Sequence, residues 1–239
     1  MTARVERDVE ETIGVEETIG ATGTAQIPRQ RGGGLLDHAV RYAEERHWDV
    51  FPGTWLEAAD GREHCSCGDA ECERPGAHAT RADWANQATG SATAARRLWG
   101  KHPKASILLP TGRTFDVLDL PESAGFLALA RLERMELPLG PVSCTPDRRM
   151  FFFVLPGASA KLPDLIRGLG WSPSALDLIA RGEGHYIAAP PTRVGGWGAV
   201  QWVRPPTESN RWLPDAEELI NPLAYACGRD AADARARGL

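Results

Sequence analysis

Three thiols and an imidazole fall within fourteen residues of this chain, at Cys65, Cys67, Cys72 and His78. Zn²⁺ takes four soft or borderline donors in a tetrahedron, and three cysteines with one histidine form a closed structural set. Gly68, Pro75 and Gly76 supply the bends that would let so short a loop converge. The stretch is polar and has no apolar core of its own, so a metal would substitute for one. Four protein donors leave no open coordination position, which favours a structural role over a catalytic one. The Cys65-x-Cys67 spacing is tighter than the usual two-residue gap, and His64 competes as a ligand. A loop of reduced thiols is the alternative. A disulfide is disfavoured because the chain carries no export signal. Cys144 and Cys227 lie far along the sequence and read as buried thiols.

Two groups of cations are the other chemically suggestive features. Arg96, Arg97, Lys101, His102 and Lys104 cluster on or near one predicted helix, where they could meet a nucleic-acid backbone or simply face water. Arg148 and Arg149 sit at a predicted hairpin tip, and paired guanidiniums suit phosphate recognition.

These groups need elements to hold them. Apolar spacing predicts a helix from Leu35 to near Arg46, then a short strand at Trp48–Pro52 closed by proline. Residues 53–83 read as an irregular insert. Ser91 is placed to cap a helix running to about Lys101. Strands follow at Ile107–Leu109 and Phe115–Leu120, then a helix at Glu122–Met135. Further strands are predicted at Val142–Cys144, Phe151–Leu155, Leu176–Ile179, Tyr186–Ala189 and Val200–Val203. Short helices are predicted at Leu162–Leu169 and from Asp215 to about Cys227, with residues 228–239 as a frayed tail. This alternation describes an α+β domain with helices on a mixed or antiparallel sheet.

Composition narrows the classes. The 239 residues carry a formal charge of −5, with 42% hydrophobic and 25% charged residues. No stretch approaches the run of about 20 apolar residues that a membrane span needs. The N-terminus lacks a secretory apolar segment, so a cytoplasmic location is expected. Residues 1–20 hold Arg4 and Arg7 against six carboxylates, a balance of −4, which leaves about −1 for the remainder. Residues 1–33, with the repeat Glu11-Thr12-Ile13-Gly14 and Glu17-Thr18-Ile19-Gly20, read as a disordered acidic leader. Such a leader is a solvated tail or a segment that engages a protein partner. The ordered domain is expected from residue 34 to 227.

Tyr42-Ala43, Trp48-Asp49-Val50-Phe51-Pro52, Ala82-Asp83-Trp84, Leu98-Trp99, Leu109-Pro110-Thr111-Gly112-Arg113, Phe115-Asp116-Val117-Leu118-Asp119-Leu120, Thr145-Pro146 and Ala188-Ala189-Pro190-Pro191-Thr192 follow one another in order. Together they resemble the N-terminal domain of bifunctional DNA primase–polymerases, over about residues 36–205. The resemblance implies the archaeo-eukaryotic primase fold, an RNA-recognition-motif-like sheet packed on an α/β unit. It also implies nucleotidyl transfer through two divalent ions, Mg²⁺ or Mn²⁺, held by carboxylates. Members often carry a small zinc insert, which agrees with the Cys₃His reading.

Against that family pattern the chain departs twice. The Asp-x-Asp motif becomes Asp119-Leu120-Pro121, which keeps one carboxylate. Asp116 lies on the other face of the strand by alternation, so Glu122 is the better replacement. The histidine after Thr-Pro falls at Phe151, which cannot bond a phosphate, and His185 is a remote stand-in. The third motif survives at Asp177. Asp119 and Asp177 are thus the candidate catalytic residues, able to hold one ion weakly, with Arg148 and Arg149 as candidate phosphate ligands. Three readings follow. One is a degenerate primase–polymerase-like module binding nucleic acid or nucleotide; another is an active enzyme with substituted ligands. The third is a zinc-stabilised protein-interaction scaffold.

Overall fold

The computed structural model describes residues 33–236. The acidic leader, apart from Gly33, and residues 237–239 lie outside the described residues, as does any contact the leader makes. Helix α1 (Leu35–Arg46) leads into β1 (Phe51–Pro52), β2 (Leu56–Ala59) and β3 (Arg62–Cys65). Next come α2 (Ala92–Lys101), β4 (Ile107–Pro110), β5 (Asp116–Pro121), α3 (Glu122–Arg134), β6 (Val142–Cys144) and β7 (Arg149–Val154). The chain continues through α4 (Ala158–Gly168), β8 (Ile179–Arg181), β9 (Tyr186–Ala188), β10 (Arg193–Val194), β11 (Gly198–Ala199), β12 (Gln201–Arg204) and α5 (Ala216–Ala236).

The central sheet has five strands in the order β12-β6-β7-β5-β8, and every neighbouring pair is antiparallel. Its inner part runs β5-α3-β6-β7-α4-β8. A second sheet, β1-β4-β9, lies beside it, and two hairpins complete the set.

Side-chain alternation divides the central sheet between two cores. Leu118, Leu120, Met150, Phe152 and Val154 point to one face and pack with α3, α4 and α5. Val117, Phe151 and Phe153 point to the other, where Trp48, Phe115 and Trp202 join them beneath α1 and α2. Trp48 stacks on Phe153 with ring centroids 5.2 Å apart. Strand β7 is therefore apolar on both faces because both are covered, as the Phe151-Phe152-Phe153 run suggests.

Several boundaries differ from the sequence reading, each for a physical reason. The insert contains a hairpin, β2 with β3, turned by Asp60 (φ 52°) and Gly61 (φ 73°). An Asp-Gly pair accepts two positive φ angles cheaply and matches strand twist. Helix α4 begins at Ala158 rather than Leu162. The Asp116 carboxylate accepts from the N–H groups of Gly157 (3.0 Å) and Ser159 (3.3 Å) and caps it there. The strand expected at Leu176–Ile179 is displaced to Ile179–Arg181, so Asp177 precedes it. Helix α5 runs on past Cys227 to Ala236. Asp230 on this extension accepts from Ser123 Oγ of α3 at 2.5 Å, and Gly228 lies close against the Trp171 ring. As expected, Ser91 Oγ caps α2, accepting from the Ala94 N–H. No helix among the described residues is long and apolar enough to cross a membrane.

Candidate functional site

The register of the central sheet sets the site. Asp119 on β5 stands opposite Phe151 on β7 and Ile179 on β8. Arg149 faces Pro121, and Arg181 faces Val117, so all of these share the face that carries Asp119. Asp119 is fully buried. Its Oδ1 accepts from Arg149 Nε at 2.7 Å and its Oδ2 from Arg181 Nε at 2.7 Å. Each carboxylate oxygen thus has a guanidinium of its own.

Arg149 spans two acids. Beyond Asp119, its Nη1 and Nη2 donate to the Asp177 carboxylate at 2.6 and 2.9 Å. This is the bidentate fork that a planar guanidinium makes with a carboxylate. Burial opposes the charge on Arg149, but Asp177 and Asp119 more than restore it, so its pKa is raised above the ordinary arginine value. The structure therefore brings Asp119, Asp177 and Arg149 into one cluster. Arg148 does not join it. That residue turns the hairpin with φ 62°, is largely exposed, and donates from Nε to Glu122 Oε2 at 3.2 Å. The other Glu122 oxygen accepts from the Cys144 thiol, so Glu122 is engaged with Arg148 and Cys144 instead of Asp119.

Two further residues escaped the sequence reading. Arg181 lies beyond the motif that drew notice to Asp177; the alternation of β8 was the signal that could have found it. Arg74, from the cysteine insert, joins Arg181, Phe151 and His185 around a cavity of about 230 Å³. His185 lines that cavity at its exposed edge.

The cysteine insert forms a second cluster. One donor atom from each of Cys65, Cys67, Cys72 and His78 lies within 4.8 Å of all the others. Cys65 ends β3, and its Sγ accepts from the Gly76 N–H at 3.2 Å. A proton on His78 Nδ1 meets the Ala79 carbonyl at 2.9 Å. That tautomer leaves the Nε2 lone pair aimed at the sulfurs, 3.4 Å from Cys65 Sγ. His64 is excluded: strand alternation places it on the side of β3 away from Cys65. Burial opposes ionisation of Cys65, yet hydrogen bonds from Cys67 and Gly76 bring its thiol down to about 6. Burial, with the neighbouring Cys65 and Cys67 sulfurs, pushes Cys72 up to about 12. The donor set could bind a metal such as zinc. Cys144 and Cys227 are buried elsewhere, and burial first of all pushes each thiol up to about 12.

Fold and site together define a mixed α+β domain whose sheet carries a carboxylate–guanidinium cluster beside a cysteine–histidine loop. The family model described as bifunctional DNA primase/polymerase, N-terminal, matches residues 39–212, and the chain belongs to that family. No curated protein and no solved structure matches the chain.

Proposed function

We propose that this is a primase–polymerase-like domain that has given up metal-dependent nucleotidyl transfer and serves as a binding module for nucleic acid or nucleotide. The observation that carries this reading is the placement of Arg149 between Asp119 and Asp177. In the family the corresponding carboxylates hold divalent cations. Here both Asp119 oxygens are engaged by guanidiniums, and Pro121 offers no donor where a second carboxylate is expected. A cation between these acids would have to displace a charged, doubly held Arg149. This set does not fit Mg²⁺ or Mn²⁺, so no step is derived through either ion. Phe151, buried opposite Asp119, has no donor for a phosphate.

The β5-α3-β6-β7-α4-β8 order, with every neighbouring pair antiparallel, supports an RNA-recognition-motif-like sheet. We assign zinc to the Cys65, Cys67, Cys72 and His78 set, as a structural ion that ties the insert to β3. Its role is to fix the loop that brings Arg74 and Ala77 to the cavity beside Arg181.

Primer extension and de novo primer synthesis with Mg²⁺ or Mn²⁺ test the reading. The expected result is no product, together with salt-dependent binding of single-stranded DNA. Extension by the wild-type chain that disappears in Asp119→Ala would establish an active enzyme instead. Absence of both extension and binding would favour an interaction scaffold.

A further inference from the structure

Three surface cavities are linked by shared lining residues. The largest, about 570 Å³, is lined by Trp55, Gln87, Arg81 and His102 among others. It shares Gln87 with a cavity of about 390 Å³ that includes Arg97 and Lys101 of α2. It shares Trp55 with a third, of about 280 Å³, that includes Lys104 and Arg193. No aspartate or glutamate lines any of the three. The carboxylate cluster is different in kind, because each of its arginines is already paired.

The cations on this track differ in their freedom. Arg81 pairs with Asp83, and Arg193 with Glu63. Arg97, Lys101 and Lys104 make no ion pair among the described residues, and all three are exposed. Trp55 sits at the junction of two cavities. Its ring lies 6.3 Å from that of His102 in a stacked arrangement, and its indole N–H donates to Glu57 at 2.8 Å. Its backbone is clamped by Ser66, whose N–H donates to the Trp55 carbonyl at 2.9 Å and whose Oγ accepts from the Trp55 N–H at 3.0 Å. Ser66 lies between Cys65 and Cys67, so the Trp55 backbone is tied to the cysteine loop.

A line of unpaired cations interrupted by a fixed aromatic is the chemistry that takes a phosphodiester backbone and one unstacked base. We propose that this track binds single-stranded nucleic acid, with Arg97, Lys101 and Lys104 on phosphates and Trp55 as the stacking platform. The inference rests on the nucleic-acid reading above and names the surface that does the binding. A duplex keeps its bases stacked internally and has none to offer Trp55.

Fluorescence anisotropy of a labelled oligo(dT) strand with the full chain, across a salt series, tests it. The Arg97→Ala, Lys101→Ala, Lys104→Ala triple variant changes only exposed side chains. It is expected to lower the slope of log affinity against log salt by about 2, at roughly 0.7 per lost phosphate contact. Trp55→Ala is expected to weaken binding about 5- to 150-fold with the slope unchanged, and Trp55→Phe to recover most of the loss. If the wild type binds and both variants match it, the track is refuted while the nucleic-acid reading stands. Equal affinity for a duplex of the same length refutes the single-strand preference. If the wild type binds no strand even at low salt, the nucleic-acid reading falls and takes the track with it.

Discussion

Arg149 grips Asp177 through two parallel N–H···O bonds, of 2.6 and 2.9 Å, without releasing Asp119. One cation thereby ties a fully buried acid to one that is more than half exposed, since the side-chain exposures are 0% and 55%. The energetic consequences of cutting the two links must differ, because desolvation decides what an unpaired charge costs.

Removing Arg149 strands the buried Asp119 with Arg181 alone. Arg149→Ala should lower stability by about 3 kcal/mol, whereas Asp177→Ala should cost less than about 1 kcal/mol because water replaces the lost contact. Denaturant unfolding of the two variants checks the contrast. In the Asp119→Ala, Arg149→Ala cycle the double variant should cost about 1–3 kcal/mol less than the two single variants combined. Strict additivity would show that the pair is not coupled.

The same substitution should change what the acids can hold. With Arg149 gone, Asp119 Oδ1 and both Asp177 oxygens lose the guanidinium that engages them, and hard cations favour carboxylate oxygens. Paramagnetic resonance titration should find Mn²⁺ bound more tightly to Arg149→Ala than to the wild type. Adding Asp177→Ala to that variant should remove the gain. Equal Mn²⁺ affinity in wild type and Arg149→Ala would show that the guanidinium does not exclude metal.

Gly76 is constrained on two counts. Its φ is +77°, and an added Cβ would lie 2.8 Å from Leu56 Cγ and 3.1 Å from the Arg193 carbonyl. Gly76→Ala should therefore destabilise the domain by about 2 kcal/mol. It should also weaken metal retention, since the Gly76 N–H holds the Cys65 sulfur. Metal content after exposure to a mild chelator measures the second effect, and unchanged retention would deny the link.

Metal uptake by the cysteine cluster should release protons. Zinc binds thiolates, and the Cys72 thiol is raised to about 12, so at neutral pH its proton has to leave on loading. Affinity should rise with pH across the neutral range. As pH falls through about 6, Cys65 also protonates in the metal-free protein, so a further proton must be expelled and affinity should drop more steeply. Calorimetry in buffers of different ionisation enthalpy counts these protons. Affinity independent of pH from 6 to 8 would contradict the thiolate set.

The cluster of Cys65, Cys67, Cys72 and His78 was legible in the sequence because sulfur and imidazole are rare, and their spacing within one loop limits where they can meet. Most of the sheet was legible too, since Leu118-Asp119-Leu120 and Phe151-Phe152-Phe153 alternate or saturate in ways that strands require. Arg149 was not. Sequence places it beside a turn, where solvent is the default, and only the pairing of Pro121 with Arg149 shows that it points back across β5. Arg181 was missed because its partner lies 62 residues away. The extension of α5 was hidden by its Ala/Arg composition, and the contacts of Gly228 and Asp230 that hold it are tertiary.

The double covering of β7 also governs how the chain can be divided. A fragment starting at Phe115 would keep the β5–β8 strands and their three helices, yet it would bare Phe151, Phe153 and Trp202 to water where Trp48, α1 and α2 now lie. Such a piece should clump or be degraded rather than fold. The half of this domain that carries Asp119 and Arg149 is therefore not a portable cassette, and recombination that preserves the fold must inherit both halves at once.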